Sequence, residues 1–436
     1  MNSSNINTYK QHQKICSNLS GLSGKLNYSA KKKIRPADSA FKTPPEIPLD
    51  SKAEGSSRER IEIHSRSDKS FKRLFALQEE VLQNNPEIAK SIRFCRRVPS
   101  FTSKEVIASE GKKKGNIKGV FCCGSAKCPA CSSFVSGNHR NRLKKVIEFS
   151  SKKNLSVALL TLTFSHDLKD NFSEIIQKLI EAKTYFLRMR KFRKLNIVWN
   201  ISRLEFTHGF NGFHPHFHIA LGLENWDLQN EDILKKEWIR VCEKFGLSCS
   251  YERGLDIIID KDFSQVENYI MKSGKSLADE IGHAGTKDGR FESVSIEYLM
   301  DIVAGIETDR RYEKERAKAL LEIYYKGIKG RAIFSSSNTF ENIVKEIEEA
   351  EDKEKQGEEG EDDSNPESNR PRLKIGNWVL NHLSNSKQLY YLYSFIGHND
   401  LTRLYDELLD ILPDYLIGGL TWIDEAEEPD RLAQAA

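Results

Sequence analysis

Apolar positions change period several times along the chain, and each change marks an element. Residues 71–94 (FKRLFALQEEVLQNNPEIAKSIRF) carry helical spacing. Pro86 divides that run, because proline lacks an N–H and clashes with the turn before it. Residues 155–164 (LSVALLTLTF) form a β-branched apolar run suited to a strand, and SHDLKD ends it. Residues 172–190 (FSEIIQKLIEAKTYFLRMR) fit an amphipathic helix. Two further strands follow, at 196–207 (NIVWNISRLEFT) and 216–223 (HFHIALGL), joined through the turn HGFNGFHP. A helix over 232–245, a strand over 254–260 (GLDIIID) and a helix over 263–273 complete the series. The order β-α-β-β-α-β-α predicts an α+β fold: a ferredoxin-like unit whose central antiparallel sheet carries helices on one face.

The flanks read differently. Residues 1–68 are rich in Ser, Asn, Lys and Pro without sustained periodicity, and predict a disordered basic arm. Residues 95–138 form a Gly/Lys-rich loop followed by clustered cysteines, and a basic helix covers 140–149. Residues 292–329 look helical, with a Lys/Arg-rich stretch. Residues 341–370 pass from a short helix into an acidic linker, and 378–416 support two or three more helices. The expected organisation is a basic arm (1–68), a helical and zinc-knuckle region (69–145) and a core with a basic C-terminal extension (146–340). An acidic linker (341–371) and a small helical acidic region (372–436) follow.

Charge sharpens this division. Residues 1–340 hold 58 Lys+Arg against 40 Asp+Glu, a net of +18, and residues 341–436 hold 9 against 23, a net of −14. A basic body suits a polyanion, since Lys and Arg displace counterions condensed on phosphates. A merely solvated surface is the competing reading. No run approaches the ~20 apolar residues that span a bilayer. The first residues (MNSSNINTYKQHQKICSNLS) hold no apolar signal core, so a cytoplasmic location without membrane attachment is expected. In a reducing compartment the eight cysteines are not expected to form structural disulfides.

Three constellations carry chemistry. In Phe213-His214-Pro215-His216-Phe217-His218, strand alternation puts His216 and His218 on one face and Phe217 on the other. Two imidazoles so placed can share a divalent cation. His214 has their parity but adjoins Pro215 and the turn. Glu205 lies eleven residues before His216 on the preceding strand. An antiparallel pairing brings it opposite the histidines, where it offers the oxygen that phosphate-handling cations favour. An exposed strand carboxylate is the alternative. Upstream, Thr161 and Thr163 end the first strand; their hydroxyls can line the site's edge, but taken alone these residues read better as an ordinary strand end. Tyr269 and Lys272 stand i, i+3 on the predicted helix. A phenol with pKa near ~10 is a poor nucleophile at neutral pH, and a nearby ammonium eases its attack. Finally, Cys123-Gly-Ser-Ala-Lys-Cys128-Pro-Ala-Cys131 joins CxxC to a third cysteine five residues earlier. That spacing suggests a structural zinc knuckle in need of a fourth ligand.

The blocks ALLTLTFSHDLKD, SRLEFTHGFNGFHPHFHIAL and ENYIMKSGKSLADEI, in this order, resemble the motifs of plasmid and phage rolling-circle replication initiators of the HUH endonuclease superfamily. Bacterial plasmid initiators are the nearest likeness, and YYKGIKGRAIFSSS resembles a basic segment after their third motif. The likeness spans residues 90–340. It implies a ferredoxin-like/RRM-like HUH endonuclease domain, preceded by a zinc-binding module and followed by a helical tail. It implies Mg²⁺ or Mn²⁺ held by His216, His218 and Glu205, and Tyr269 attacking a phosphodiester with help from Lys272. The products would be a 5′-phosphotyrosine link and a 3′-OH primer, with later rejoining that needs no ATP. Cys95 becomes the fourth zinc ligand, because FCRRVPS ahead of the cluster resembles the initiators' zinc region; Cys122 and His139 are its rivals. Double- and single-stranded origin DNA would be the partner, touched by Lys112, Lys113, Lys114, Arg140, Arg142, Lys144 and Lys145. A host helicase and DNA polymerase would join, and a homo-oligomer is compatible. There is one departure. Some initiators carry a glutamate one helical turn before the tyrosine to activate water for termination; here that position is Gln265, and Glu267 lies off the tyrosine's face. Two other readings remain: a relaxase or single-strand transposase with the same chemistry, and a non-catalytic zinc-containing DNA-binding regulator.

Overall fold

The computed structural model describes residues 66–83, 85, 87–103, 105–111, 115–224, 226, 229–260, 293–358 and 370–423. The chain divides into Met1–Ile61 and Glu62–Ala436, and all of these residues belong to the second unit. The helix expected over 263–273, with Tyr269, Lys272, Gln265 and Glu267, lies outside the described residues, as do Lys112, Lys113 and Lys114. Of the arm expected over 1–68, only 66–68 are described, and they open the first helix.

That helix, α1 (Arg66–Ala76), runs into a π-helical turn (Leu77–Val81), and the short α2 (Lys90–Phe94) follows. Strands β1 (Val106–Ser109) and β2 (Asn116–Lys118) precede the long helix α3 (Pro129–Lys152). Proline opens α3, where a missing N–H costs nothing. Next come β3 (Ser156–Leu162), α4 (Phe172–Arg188), α5 (Arg190–Arg193), β4 (Ile197–Gly209), β5 (Gly212–Leu223), α6 (Gln229–Lys244) and β6 (Leu255–Asp260). Strand β7 (Val294–Ser295) leads into α7 (Ile296–Val303), α8 (Lys314–Gly327), β8 (Phe334–Ser336) and α9 (Asn338–Glu358). The C-terminal part holds β9 (Arg372–Ile375), α10 (Asn377–Asn385), α11 (Leu389–His398), α12 (Leu401–Ile411), α13 (Asp414–Ile417) and β10 (Leu420–Trp422).

The main sheet runs β6-β3-β5-β4 with every neighbour antiparallel, and β7 and β8 extend it beyond β4. This is the expected ferredoxin-like order. Helices α4 and α6 cover one face. Asn171 caps α4 by accepting from the N–H groups of Ser173 and Glu174. Ile175, Ile176, Leu179, Ala182 and Phe186 are buried at helical spacing along it. Phe186 meets Trp238 of α6 edge-on, with ring centroids 5.3 Å apart.

The expectation of helices on one face alone is corrected. Leu143 and Val146 of α3 and Phe340, Ile343 and Val344 of α9 pack on the opposite face, against Val157, Leu159, Trp199, Ile201 and Ala220. The reason is legible in β3: Val157-Ala158-Leu159-Leu160 is apolar at consecutive positions, the pattern of a strand buried on both faces. Here Gly222 stands opposite Trp199, and a Cβ on it would lie 2.1 Å from the indole Nε1. That Nε1 donates to Ser150 Oγ at 2.8 Å. Gly222→Ala is therefore expected to cost about 1–3 kcal/mol by overpacking, plus about 1 kcal/mol if the indole loses its partner. Urea unfolding reads this as a lower midpoint at unchanged slope.

A second antiparallel sheet, absent from the sequence expectations, runs β10-β9-β1-β2. Val106 pairs with Ile375 and Ser109 with Arg372, so the zinc region and the helical C-terminal region share one sheet. Between them α9 stays helical to Glu358, well into the stretch expected as a linker. Its Glu341 and Glu351 pair with Arg142 and Lys145 of α3, which anchors it along that helix.

Candidate metal centres

The half of β5 nearest the hairpin turn carries the histidines. Register pairs Glu205 with His216, Arg203 with His218 and Thr207 with His214 across β4. On the other side Thr161 of β3 pairs with His218. Two-residue alternation puts all of these on one face. Further along β5 the same face is closed by α3 and α9 at Ala220. Glu205 Oε2 lies 3.5 Å from His216 Nε2 and 3.5 Å from His218 Nε2. Two ligand atoms each ~2.1 Å from a shared cation stand about 3.0–3.4 Å apart. Glu205, His216 and His218 can thus hold one divalent ion.

The surroundings favour that use. His218 Nδ1 lies 3.1 Å from Thr161 Oγ1. With a cation on Nε2, Nδ1 would carry the proton and donate to the threonine, which would fix the ring. Burial alone would raise the pKa of Glu205, but hydrogen bonds from His216 and His218, with the charges of His218 and Arg203, outweigh it. The carboxyl is held well below the usual carboxylate range. Its Oε1 is buried with no hydrogen-bond partner, and Arg203 Nε stands 3.4 Å away. An ionised carboxylate with a spare acceptor, beside two imidazoles, suits a divalent cation.

His214 shares the face without joining this trio. Its Nε2 is 2.7 Å from Thr163 Oγ1 and its Nδ1 is 2.8 Å from His166 Nε2. His166 Nδ1 lies 3.0 Å from the carbonyl of Asn211, which can only accept. The chain therefore has a direction. His166 donates to Asn211, His214 donates to His166, and the Thr163 hydroxyl donates to His214. Burial lowers the His214 pKa to about 3, helped by His216 and His166, and burial also lowers His166, so both rings are neutral near pH 7.

Two charged neighbours were not singled out from sequence. Arg203 sits with its guanidinium 5.0 Å from the Phe334 ring centroid, and its shared parity with Glu205 was the available signal. Glu297 of α7 left no such signal. It reaches this region only because Ser295 of β7 pairs with Thr207. Burial pushes its carboxyl pKa up, against the pull of its own backbone N–H, Arg203 and Arg73.

The second centre is built from sulfur. Cys95 Sγ lies 3.5 Å from Cys131 Sγ and 3.8 Å from Cys128 Sγ, and Cys123 Sγ lies 3.8 Å from Cys131 Sγ. Tetrahedral zinc with Zn–S bonds of ~2.3 Å sets its sulfurs about 3.8 Å apart. These four cysteines can hold a zinc ion, and neither rival fits. Cys122 points to the Val120 carbonyl, and the His139 ring stacks on Phe334 with centroids 4.1 Å apart. Gln78 Nε2 donates to the Cys95 carbonyl at 2.9 Å. Arg96, at φ +64°, turns the chain, and its N–H donates to the Phe121 carbonyl at 2.7 Å. Within the knuckle, Lys127 Nζ donates to the Ile328 carbonyl at 2.6 Å, and Tyr325 donates to the Lys127 carbonyl at 2.8 Å. Burial lowers Lys127 to about 8. The YYKGIKGR segment thus buttresses the zinc region.

The basic residues expected on DNA fare unevenly. Arg142 and Lys145 are paired with α9, Lys144 is exposed, and Arg140 is half-buried.

Residues 114–387 match the model of the Rep_1 family, described as replication protein. The match covers more than half of the chain, and the chain belongs to this family. Its likeness to plasmid rolling-circle initiators is borne out at that level. No curated protein and no solved structure matches the chain. Among the described residues no helix is long and apolar enough to cross a membrane.

Proposed function

We propose that this replication protein opens its plasmid's origin by nicking one strand, with Tyr269 as nucleophile and Glu205, His216 and His218 as the metal-binding trio. The observation that carries the reading is the convergence of those three side chains, with Glu205 Oε2 3.5 Å from the Nε2 of each histidine, in a chain of a replication family. Glu205, His216 and His218 would hold a divalent cation, Mg²⁺ or Mn²⁺, which when bound would supply Lewis-acid polarisation of the scissile phosphate. The phenolic oxygen of Tyr269 attacks phosphorus, the P–O3′ bond breaks, and the 5′ phosphate stays on the tyrosine. The phenol gives its proton to solvent and the leaving 3′ oxygen takes one up. Lys272 eases loss of the phenolic proton. The 3′-OH then primes a host polymerase. Rejoining is the same exchange in reverse, so the link itself carries the energy.

The test is an SDS-stable adduct. Single-stranded oligonucleotides tiled across the replicon's origin are incubated with the protein and Mn²⁺. One of them should give a covalent protein–DNA band, and Tyr269→Phe should remove it. The reading fails if no oligonucleotide gives a band or if Tyr269→Phe still does. The first of those outcomes is what a non-catalytic DNA-binding regulator would give.

A further inference from the structure

The most exposed large apolar side chain among the described residues is Phe210, at 89%. It stands at the turn of the β4–β5 hairpin, the ribbon that carries Glu205, His216 and His218. Leu168, 63% exposed, lies at the same turn: a Cβ on Gly212 would be 3.5 Å from the Leu168 side chain. A phenylalanine left in water forgoes the free energy that burying its ring would give. Nothing in the turn demands it. Position 210 is not among the left-handed residues, and the reversal is accommodated by Gly212 at φ +88°.

The backbone beside Phe210 is tied to a neighbouring loop. The carbonyl of Asn211, next to Phe210, accepts from His166, which His214 holds in turn. Below the turn, His208 Nδ1 meets Tyr312 Oη at 3.0 Å. Tyr312 brings a tight turn with Arg310 and Arg311, and Arg316 lies over its ring at 5.4 Å. Arg316 is close enough for its charge to bear on His208. An exposed aromatic at the tip of a hairpin, with exposed arginines near the hairpin's base and Arg311 among them paired with Asp309, is a combination that suits single-stranded nucleic acid. The ring takes a base face and the cations draw the backbone.

We propose that Phe210, with Leu168 at the same turn, is a stacking platform for an unpaired base of single-stranded DNA, at the tip of the hairpin that carries the metal trio. The proposal rests on the reading that this trio works on DNA. Duplex DNA buries its base faces, so the platform selects strand already opened.

The experiment uses the full chain and a random-sequence single-stranded 30-mer containing 2-aminopurine, without added divalent metal. Phe210→Ala should weaken binding by about 5- to 150-fold, the worth of one stacked base, and should lose 2-aminopurine quenching. Phe210→Trp should bind within about 2-fold of the parent and keep the quenching, because indole stacks as well. Melting temperatures of all three should agree, since the side chain is exposed. The proposal is overturned if Phe210→Ala binds like the parent, or if Phe210→Trp is as weak as Phe210→Ala. Failure of the nicking reading looks different: the parent gives no adduct with Mn²⁺ while the Phe210 effect on binding persists.

Discussion

Cys128→Ser should empty the sulfur centre and unfold the region it holds. Cys95 and Cys128 are fully buried and Cys131 is 5% exposed, so a serine there cannot be rescued by water. Zinc binding by small modules is worth about 10–16 kcal/mol at neutral pH. That is comparable to the whole net stability of a typical domain, about 5–15 kcal/mol. The loss would spread, because three distant segments hang on the cluster's backbone. Gln78 holds Cys95, Tyr325 holds Lys127, and Tyr393 of α11 donates to the Arg96 carbonyl at 2.8 Å. The expected result is one zinc per chain in the parent and none in Cys128→Ser, with the main melting transition broadened and shifted down by many degrees. Cys122→Ser is the control and should keep its zinc. A parent without zinc, or a Cys128→Ser variant that melts like it, would mean that the four thiols are only packed together.

Much of the main sheet was legible because its strands announce themselves in a few consecutive residues. NIVWNISRLEFT and HFHIALGL are long, apolar on one parity and separated by a glycine-containing turn, so their pairing and the facing of Glu205 on His216 could be read directly. The strands proved longer than expected, reaching Gly209 and Gly212, and this places His214 on the ribbon rather than in the turn. The second sheet was invisible for a physical reason. Its strands have three or four residues, and β1 finds β9 some 260 positions away along the chain. Alternation over so short a run cannot be told from chance, and the partner that would make sense of it is not local. Glu297 was hidden for the same reason. Helix cover on both faces was readable in part, since β3 is apolar at consecutive positions, whereas α9 looks too acidic to pack until Phe340, Ile343 and Val344 are seen to share one side of it.

The face shared by Glu205 and the histidines also explains a division of labour along β5. Toward Leu223 the face is filled by Trp199, Phe340 and their neighbours, and there the strand only holds the fold. Toward Gly212 the same parity bears His218, His216 and His214. Each imidazole is supported from the side, two of them by Thr161 near the end of β3 and Thr163 just past it. The apolar half supplies the rigidity that a ligand set needs, because side chains on regular strands are placed more closely than side chains on loops.

On that rigid half, Glu205→Gln should abolish high-affinity divalent binding while leaving the fold in place. Glutamine keeps the shape and one carbonyl oxygen but removes the negative charge. That charge is maintained against burial by His216, His218 and Arg203, so it is the electrostatic centre of the site. Alanine would be a poorer test. It would leave the Arg203 guanidinium beside an empty space, whereas glutamine fills that space and keeps a carbonyl oxygen that can accept from Arg203. Losing the one charged ligand of the trio should lower Mn²⁺ affinity by about 100-fold or more in calorimetry. Adduct formation at fixed Mn²⁺ should fall at least as far. Zinc content should stay at that of the parent, because the sulfur cluster is built from a separate set of residues. If Glu205→Gln binds Mn²⁺ like the parent, the carboxylate is not a ligand and serves only to hold Arg203. If zinc and Mn²⁺ are lost together, the two centres are not independent, and the assignment of hard cation to Glu205, His216 and His218 and of soft cation to the four cysteines would have to be abandoned.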